Sequence, residues 1–125
     1  MLPAGPVMLR VAVPASSLAA TASAIDEALC DDPARVVAAC AATGIFTVIA
    51  SDAVIGTLPR AVETLRSFVS EQDGYVTVAR APQSMRGIID PWGGVEPSAF
   101  QLMRRLKETF DPAGTLNPGR FVGGL

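Results

Sequence analysis

The residues of this sequence that are best suited to do chemistry lie near its C-terminus. Residues 110–121 read Phe-Asp-Pro-Ala-Gly-Thr-Leu-Asn-Pro-Gly-Arg-Phe. Asp111-Pro112 predicts the end of a helix, because proline cannot continue the helical hydrogen-bond ladder. Asn117-Pro118-Gly119 predicts a turn. Arg120 follows that turn with a guanidinium fork that fits a phosphate or a carboxylate. Simple solvation of Arg120 is an equally good interpretation of the residue alone.

Histidine is absent from all 125 residues. Its absence removes histidine acid–base catalysis, the usual catalytic triads and most zinc sites. The sequence therefore predicts no catalytic residue and no metal site of its own, and a reactive centre has to come from elsewhere. Cys30 and Cys40 lie in Ala- and Val-rich surroundings without a C-x-x-C spacing. They are predicted to be buried, reduced thiols of a cytoplasmic protein, with a disulfide between them as the less favoured alternative.

Composition narrows the classes of partner. Half of the residues are apolar and 18% are charged, which favours a folded domain. With a net charge of −2 and scattered Lys and Arg, the sequence offers no basic stripe for a nucleic acid. No apolar run approaches the ~20 residues that span a bilayer. Residues 1–6 lack the pattern of a secretory signal, so a cytoplasmic location is predicted.

Two helical stripes with the same internal spacing organise residues 1–81. The first is Leu18, Ala22, Ile25, Leu29, and the second is Leu58, Val62, Leu65, Val69. Alternating or apolar runs predict strands at about 7–13, 35–40, 45–50 and 75–81. Ser16 or Ser17 is predicted to cap the first helix, and Thr57 the second. The order β-α-β-β-α-β predicts a ferredoxin-like α+β fold, with both helices on one face of an antiparallel sheet. The alternative is chance similarity between two ordinary amphipathic helices.

The sheet face away from the helices is predicted to carry two arginines. Alternation in the first strand places Arg10 there, beside Thr47 and Thr77 or Tyr75. Arg80, at a strand end, follows the same logic. Each guanidinium could hold a carboxylate through two parallel hydrogen bonds. An arginine lying over an open sheet in solvent is the structural alternative.

Residues 82–125 form the second predicted domain, a Gly- and Pro-rich segment with one helix at about 98–110. Its apolar residues Leu102, Met103, Leu106 and Phe110 are predicted to point inward. The irregular chain around the helix still carries apolar side chains that need cover, namely Trp92, Leu116, Phe121 and Val122. Docking onto a neighbouring domain would provide that cover.

These C-terminal motifs together resemble the ends of FAD-linked oxidases of the vanillyl-alcohol-oxidase-like superfamily. Such proteins commonly end in a helix, a Lys-containing turn, Asp-Pro and then Leu-Asn-Pro-Gly-Arg or Lys. Four segments also match, in order, the pattern of glycolate oxidase FAD-binding subunits. They are residues 78–82, 90–93, 102–105 and 117–124. Pro91 departs from this pattern, where a β-branched residue is more usual.

The resemblance implies a role for each part of the chain. Residues 1–81 would be the cap that roofs the flavin, and residues 98–125 would return to brace an FAD-binding domain. That domain carries a Gly-rich pyrophosphate-binding segment, which this sequence lacks, so the chain is expected to be a fragment or a split gene product. The implied cofactor is FAD in the parent protein. Asn117 and Arg120 would contact it.

The implied substrate is a 2-hydroxy acid, whose carboxylate Arg10 and Arg80 would bind. The partners would be the FAD-binding domain and further oxidase subunits, and the chain alone would be inert. Two alternatives remain open. One is a stand-alone ferredoxin-like binding or assembly module that forms a homodimer through its open sheet face. The other is a non-catalytic subunit of a larger complex.

Overall fold

The computed structural model describes residues 5–125. The chain divides into two compact units, the first ending at Pro91 and the second comprising Trp92–Leu125. No helix in the described part is both long and apolar enough to cross a membrane.

The first unit contains a four-stranded sheet and two helices. The strands are β1 (Val7–Ala12), β2 (Val36–Cys40), β3 (Ile45–Ala50) and β4 (Tyr75–Arg80). The helices are α1 (Leu18–Ala28), between β1 and β2, and α2 (Leu58–Ser70), between β3 and β4. The strand order is β2-β3-β1-β4, and each of the three pairings is antiparallel. The predicted ferredoxin-like α+β fold is confirmed.

The core lies between one face of this sheet and the two helices. Val7, Leu9 and Val11 of β1 are fully buried, as their alternation predicts. They pack in one cluster with the helix residues Ile25, Leu29, Leu58, Val62, Leu65 and Val69. Burying one such side chain stabilises the fold by about 1.5–3 kcal/mol. This cluster therefore confirms both helical stripes and places the main core on one face of the sheet.

A tight hairpin joins β2 to β3. Gly44 has a φ of +68°, and a Cβ at this position would lie 2.0 Å from the carbonyl oxygen of Val13. Val13 N–H donates to the Gly44 carbonyl at 2.9 Å. Only glycine satisfies both the backbone conformation and this close approach. The predicted Gly-containing connection is confirmed.

The predicted helix caps are wrong. The segment Ala15–Ser17 forms a single 3₁₀ turn, and neither its Ser16 nor its Ser17 caps α1 through the side chain. Thr57 occupies the N-cap position of α2, but its hydroxyl donates backward to the Val54 carbonyl at 3.3 Å. A hydroxyl that turns back to a preceding carbonyl satisfies that acceptor and no helix N–H.

Both cysteines are exposed and free, so the prediction of buried thiols is wrong. Cys30 lies just beyond α1, and Cys40 ends β2 at the edge of the sheet. Apolar neighbours in sequence did not place these positions in the core, because each falls at the end of an element.

The second unit contains α3 (Pro97–Phe110) and an irregular tail that ends in a 3₁₀ turn at Val122–Gly124. The prediction that the apolar side of α3 faces inward is wrong. Leu102, Leu106 and Phe110 are 59%, 49% and 79% exposed, and Met103 is half-buried. Helical spacing identifies a stripe but cannot say whether anything covers it.

Candidate functional site

A buried carboxylate organises the turn that follows α3. Asp111 is 7% exposed and comes directly after the helix, whose end at Phe110 confirms the predicted stop. Its side chain accepts from the Lys107 ammonium at 2.5 Å and from the Leu116 N–H at 2.9 Å. It also accepts from the Thr115 N–H at 2.9 Å and the Thr115 hydroxyl at 3.1 Å. One carboxylate therefore ties the helix to residues 115–116.

Lys107 completes this arrangement from the last turn of α3. Its ammonium also donates to the Leu116 carbonyl at 2.6 Å, so it bridges the helix and the tail. The hydrogen bond from Lys107, and then that from the Leu116 N–H, hold the pKa of Asp111 well below its usual range. Both groups favour the ionised carboxylate, and they outweigh the opposite effect of its burial.

Asn117 and Arg120 stand at the two ends of a tight turn. The Arg120 N–H donates to the Asn117 carbonyl at 3.1 Å. Pro118 occupies the second position, and Gly119 has a φ of +70°, which fits a type II turn. Asn117 itself has a φ of +46°. Both Asn117 and Arg120 are exposed, so the turn presents an amide and a guanidinium to its surroundings.

Trp92 and Phe121 support the far side of this turn. The Trp92 indole N–H donates to the Arg120 carbonyl at 3.2 Å. The rings of Trp92 and Phe121 meet edge-to-face, with centroids 5.5 Å apart. Such a ring pair contributes about 0.5–1.5 kcal/mol beyond burial. The backbone of Arg120 is therefore held on one side by an indole, while its side chain remains exposed.

Sequence reasoning missed two residues of this unit. Glu96 caps α3, its carboxylate accepting from the N–H groups of Ser98 and Ala99 at 2.9 and 3.0 Å and from the Ser98 hydroxyl. The hydrogen bond from that hydroxyl, foremost among them, lowers the pKa of Glu96. The helical pattern alone places Lys107 on the polar side of α3, away from its apolar residues. The spacing of four between Lys107 and Asp111 was the available signal for their contact.

The second unit exposes several large apolar side chains. Along α3, the side chains of Leu102, Leu106 and Phe110 follow one another at a spacing of four. In the irregular chain around α3, Leu116 is 62% exposed, and Trp92 and Phe121 are 40% and 47% exposed. Of the tail residues predicted to need cover, Val122 is buried. We call the three α3 residues together with Leu116 the apolar stripe.

The open sheet face of the first unit carries both predicted arginines. Arg10 is exposed and lies opposite Thr47 on β3 and Thr77 on β4, as predicted. The β1–β4 register shifts between Met8 and Leu9, so that Arg80 lies opposite Met8. Paired residues share a sheet face, and this bulge therefore brings Arg80 to the face of Arg10. The Arg80 guanidinium donates to the Gly5 carbonyl at 3.2 Å.

The structure thus brings the predicted site residues together in pairs. Arg10 and Arg80 share a face of the first unit, and Asn117 and Arg120 share a turn of the second. Within the described residues, no group of three His, Cys, Asp or Glu side chains is arranged to hold a metal ion.

The chain is an α+β protein with a ferredoxin-like unit. A helix and an Asp-Pro…Asn-Pro-Gly-Arg tail follow that unit. Residues 94–121 match the model of one family, described as FAD linked oxidases, C-terminal domain. The match confirms the resemblance of this segment to the C-terminal region of an FAD-linked oxidase. It implies FAD as the cofactor of the parent protein and an FAD-binding domain outside these residues. Neither a curated protein nor a solved structure matches the chain.

Proposed function

We propose that this chain is the cap and C-terminal region of a flavin-dependent oxidoreductase that acts on a 2-hydroxy acid, similar to a glycolate oxidase subunit. The match of residues 94–121 to the C-terminal domain of FAD-linked oxidases carries the proposal. Without its FAD-binding domain the chain is inert. The parent protein would lie in the cytoplasm or, through other subunits, at the periphery of the inner membrane, and two free cysteines support a reducing compartment.

The apolar stripe is the docking surface for the FAD-binding domain. Leu102, Leu106 and Phe110 would leave water on docking, which supplies a driving force of about 25 cal/mol per Å² of apolar area. The Lys107–Asp111 contact holds Leu116 beside the helix end through its N–H and its carbonyl. The stripe is therefore presented on a preorganised support, which lowers the entropic cost of association.

Asn117 and Arg120 are the residues of this chain that would contact FAD. A guanidinium donor fork fits a pyrophosphate, and an amide can both donate to and accept from a flavin ring. Both side chains are exposed on one backbone turn, so they fit the role of contributing contacts. When bound, FAD would accept the hydride from the substrate carbinol carbon.

Arg10 and Arg80 would bind and orient the substrate carboxylate. In the described sheet, Arg10 is on the central strand β1, flanked by two threonines that add hydroxyl groups to the same face. The Arg80 guanidinium already donates one hydrogen bond to the Gly5 carbonyl. Arg10 is therefore the stronger candidate to donate two parallel hydrogen bonds to the substrate carboxylate. Their task is orientation of the substrate, and the hydride chemistry remains with the cofactor.

Co-expression tests the association directly. We expect the chain, produced with a separately encoded FAD-binding domain of a glycolate-oxidase-like subunit, to yield a yellow complex with a flavin spectrum. Leu106→Glu should abolish co-purification because it places a charge in the docking surface, whereas Glu63→Gln on the exposed surface of α2 should not. A wild-type complex that forms without flavin would refute the oxidase assignment.

The substrate assignment has its own test in that complex. Arg10→Gln should raise KM for 2-hydroxy acids at least ten-fold, because a charge-assisted hydrogen bond contributes about 1.5–3 kcal/mol. Arg60→Gln is the matched control, since Arg60 is an exposed arginine on α2. Equal KM values for the two variants would show that Arg10 does not bind the substrate.

A further inference from the structure

The two edges of the sheet differ in how they are protected. In the order β2-β3-β1-β4, the edge strands are β2 and β4. An edge strand leaves a row of backbone N–H and C=O groups without a partner in the sheet, and this row can template pairing with another strand. Native proteins usually protect such edges with charges, bulges or covering chain.

Strand β4 carries all three kinds of protection. The register shift against β1 places a bulge at Ala79, and a charged residue, Arg80, ends the strand. The Val78 N–H donates to the Pro91 carbonyl at 2.8 Å, so the chain that follows β4 lies along its outer edge. The Arg66 guanidinium donates to the Asp90 carbonyl at 2.6 Å and ties that segment to α2. This edge is blocked to a further strand.

Within residues 5–125, strand β2 has no charge, no bulge and no further strand beside it. Its sequence is Val-Val-Ala-Ala-Cys, without a charge, a proline or a glycine. Its pairing with β3 runs in continuous register over all five residues, without a bulge. Val37 is 38% exposed, and Ala39 and Cys40 are exposed as well. No strand within residues 5–125 lies beyond it. A regular, uncharged edge of this kind is suited to accept one more strand.

We infer that β2 is a self-association site, and that its occupant is β2 of a second copy of this chain. Antiparallel pairing about a two-fold axis at Ala38 sets Ala38 opposite its own copy, Val37 opposite Ala39 and Val36 opposite Cys40. Every pair is apolar and small, and each unpaired backbone group gains a partner. The two copies then share one continuous eight-stranded sheet.

Charge placement permits a second copy to occupy this edge. The nearest charge before β2 is Arg35, whose guanidinium already contacts Asp26 at 2.5 Å. In the two-fold register each Arg35 falls opposite Ala41, so the two arginines are six residues apart along the strand. That is about 20 Å, well beyond the ~8 Å screening length at physiological salt. Like charges therefore do not oppose this pairing.

The difference between the edges also determines the size of the assembly. A two-fold contact uses the same edge of both copies, and the β4 edges at the two ends are blocked. The assembly therefore closes as a dimer. The interface goes beyond the proposed oxidase function, because it involves neither Arg10 nor the second unit.

A pair of charge variants tests the inference on the full 125-residue chain. Sedimentation velocity should find the wild type as a dimer. In Val37→Lys/Ala39→Lys, each lysine falls opposite another lysine of the second copy, and the protein should become a monomer. In Val37→Glu/Ala39→Lys, glutamate falls opposite lysine, and the dimer should persist. Both variants carry two charges at the same positions, and far-UV circular dichroism checks that both are folded.

Cysteine cross-linking tests the register independently. In a Cys30→Ser/Cys40→Ser background, mild oxidation should give a covalent dimer of Ala38→Cys, since residue 38 faces itself across the two-fold axis. Ala39→Cys should remain uncross-linked. The inference fails if the wild type sediments as a monomer across the whole range of protein concentrations that sedimentation velocity can measure. It fails equally if the two charge variants behave alike, or if Ala39→Cys cross-links as fast as Ala38→Cys.

Discussion

Lys107 and Asp111 fix the conformation of the tail through hydrogen bonds from their side chains. Asp111 accepts four hydrogen bonds from three residues, and Lys107 donates to both Asp111 and the Leu116 carbonyl. Asn117, the first of the two proposed FAD contacts, directly follows Leu116, and Arg120 lies three residues further along. We therefore assign Lys107 and Asp111 to positioning the turn, with no direct part in the reaction.

Titration of Asp111 tests this role. Carbon-detected NMR should find its pKa below the usual ~3.9. Lys107→Met should raise that pKa toward the usual range, because it removes the largest cause of the shift. A depressed pKa stabilises the folded tail above about pH 4, and this contribution is lost as the pH falls through the folded-state pKa. Arg104→Met, on the exposed side of α3, is the control. An unchanged pKa in Lys107→Met would contradict the assignment.

At the level of elements, α2 and α3 have similar amphipathic sequences but different surroundings. The apolar residues of α2 are in the core, with Leu58 and Leu65 fully buried. Among the residues of α3 none is buried, and its apolar side is the exposed stripe. The sequence pattern is the same for a helix that packs within its own chain and for one that awaits a partner.

Two matched leucine truncations separate these cases. Leu65→Ala should lower the free energy of unfolding by about 2–5 kcal/mol, because it leaves a cavity in a close-packed core. Leu106→Ala should change it by less than about 0.5 kcal/mol, since its side chain is already half in water. Urea denaturation of the full chain measures both values. A loss of 2 kcal/mol or more in Leu106→Ala would mean that the stripe is covered within the chain.

At the level of the whole first unit, a buried acid joins two loops that are distant in sequence. Asp32, between α1 and β2, is 1% exposed. It accepts from the Ser51 N–H at 2.6 Å, the Ser51 hydroxyl at 2.9 Å and the Ala34 N–H at 3.0 Å. The bond from the Ser51 N–H, foremost, lowers the pKa of Asp32 despite its burial. This contact ties the end of α1 to the chain that leaves β3.

Replacing Asp32 should therefore destabilise the whole unit. We expect Asp32→Ala to cost about 1–3 kcal/mol in urea unfolding, because it leaves a buried N–H without an acceptor. The cost should shrink as the pH falls below about 4, since protonation of the wild-type carboxyl removes the same contribution. Asp31→Ala, at the exposed neighbouring position, should be nearly neutral. Equal effects of the two variants would disprove the role of Asp32.

Much of the architecture followed from local pattern. The alternation of Val7, Leu9 and Val11 and the two helical stripes were enough for the ferredoxin-like fold, because burial of one face imposes these periods on any strand or helix. Arg10 was placed on the open face by the same rule. The tail could be matched to the C-terminal region of FAD-linked oxidases because Asp111-Pro112 and Asn117-Pro118-Gly119-Arg120 resemble its motif, and residues 94–121 match that family model.

Other features depended on contacts that periodicity does not encode. Arg80 reaches the face of Arg10 only because a bulge shifts the register of β4. Cys30 and Cys40 are exposed because each lies at the end of an element. The sequence predicted only that the helix ends at Asp111. The structure adds its hydrogen bonds to Lys107, Thr115 and Leu116. Local pattern determined the elements and their faces, whereas tertiary contacts decided which side chains meet, because those contacts join residues that no repeat in the sequence relates.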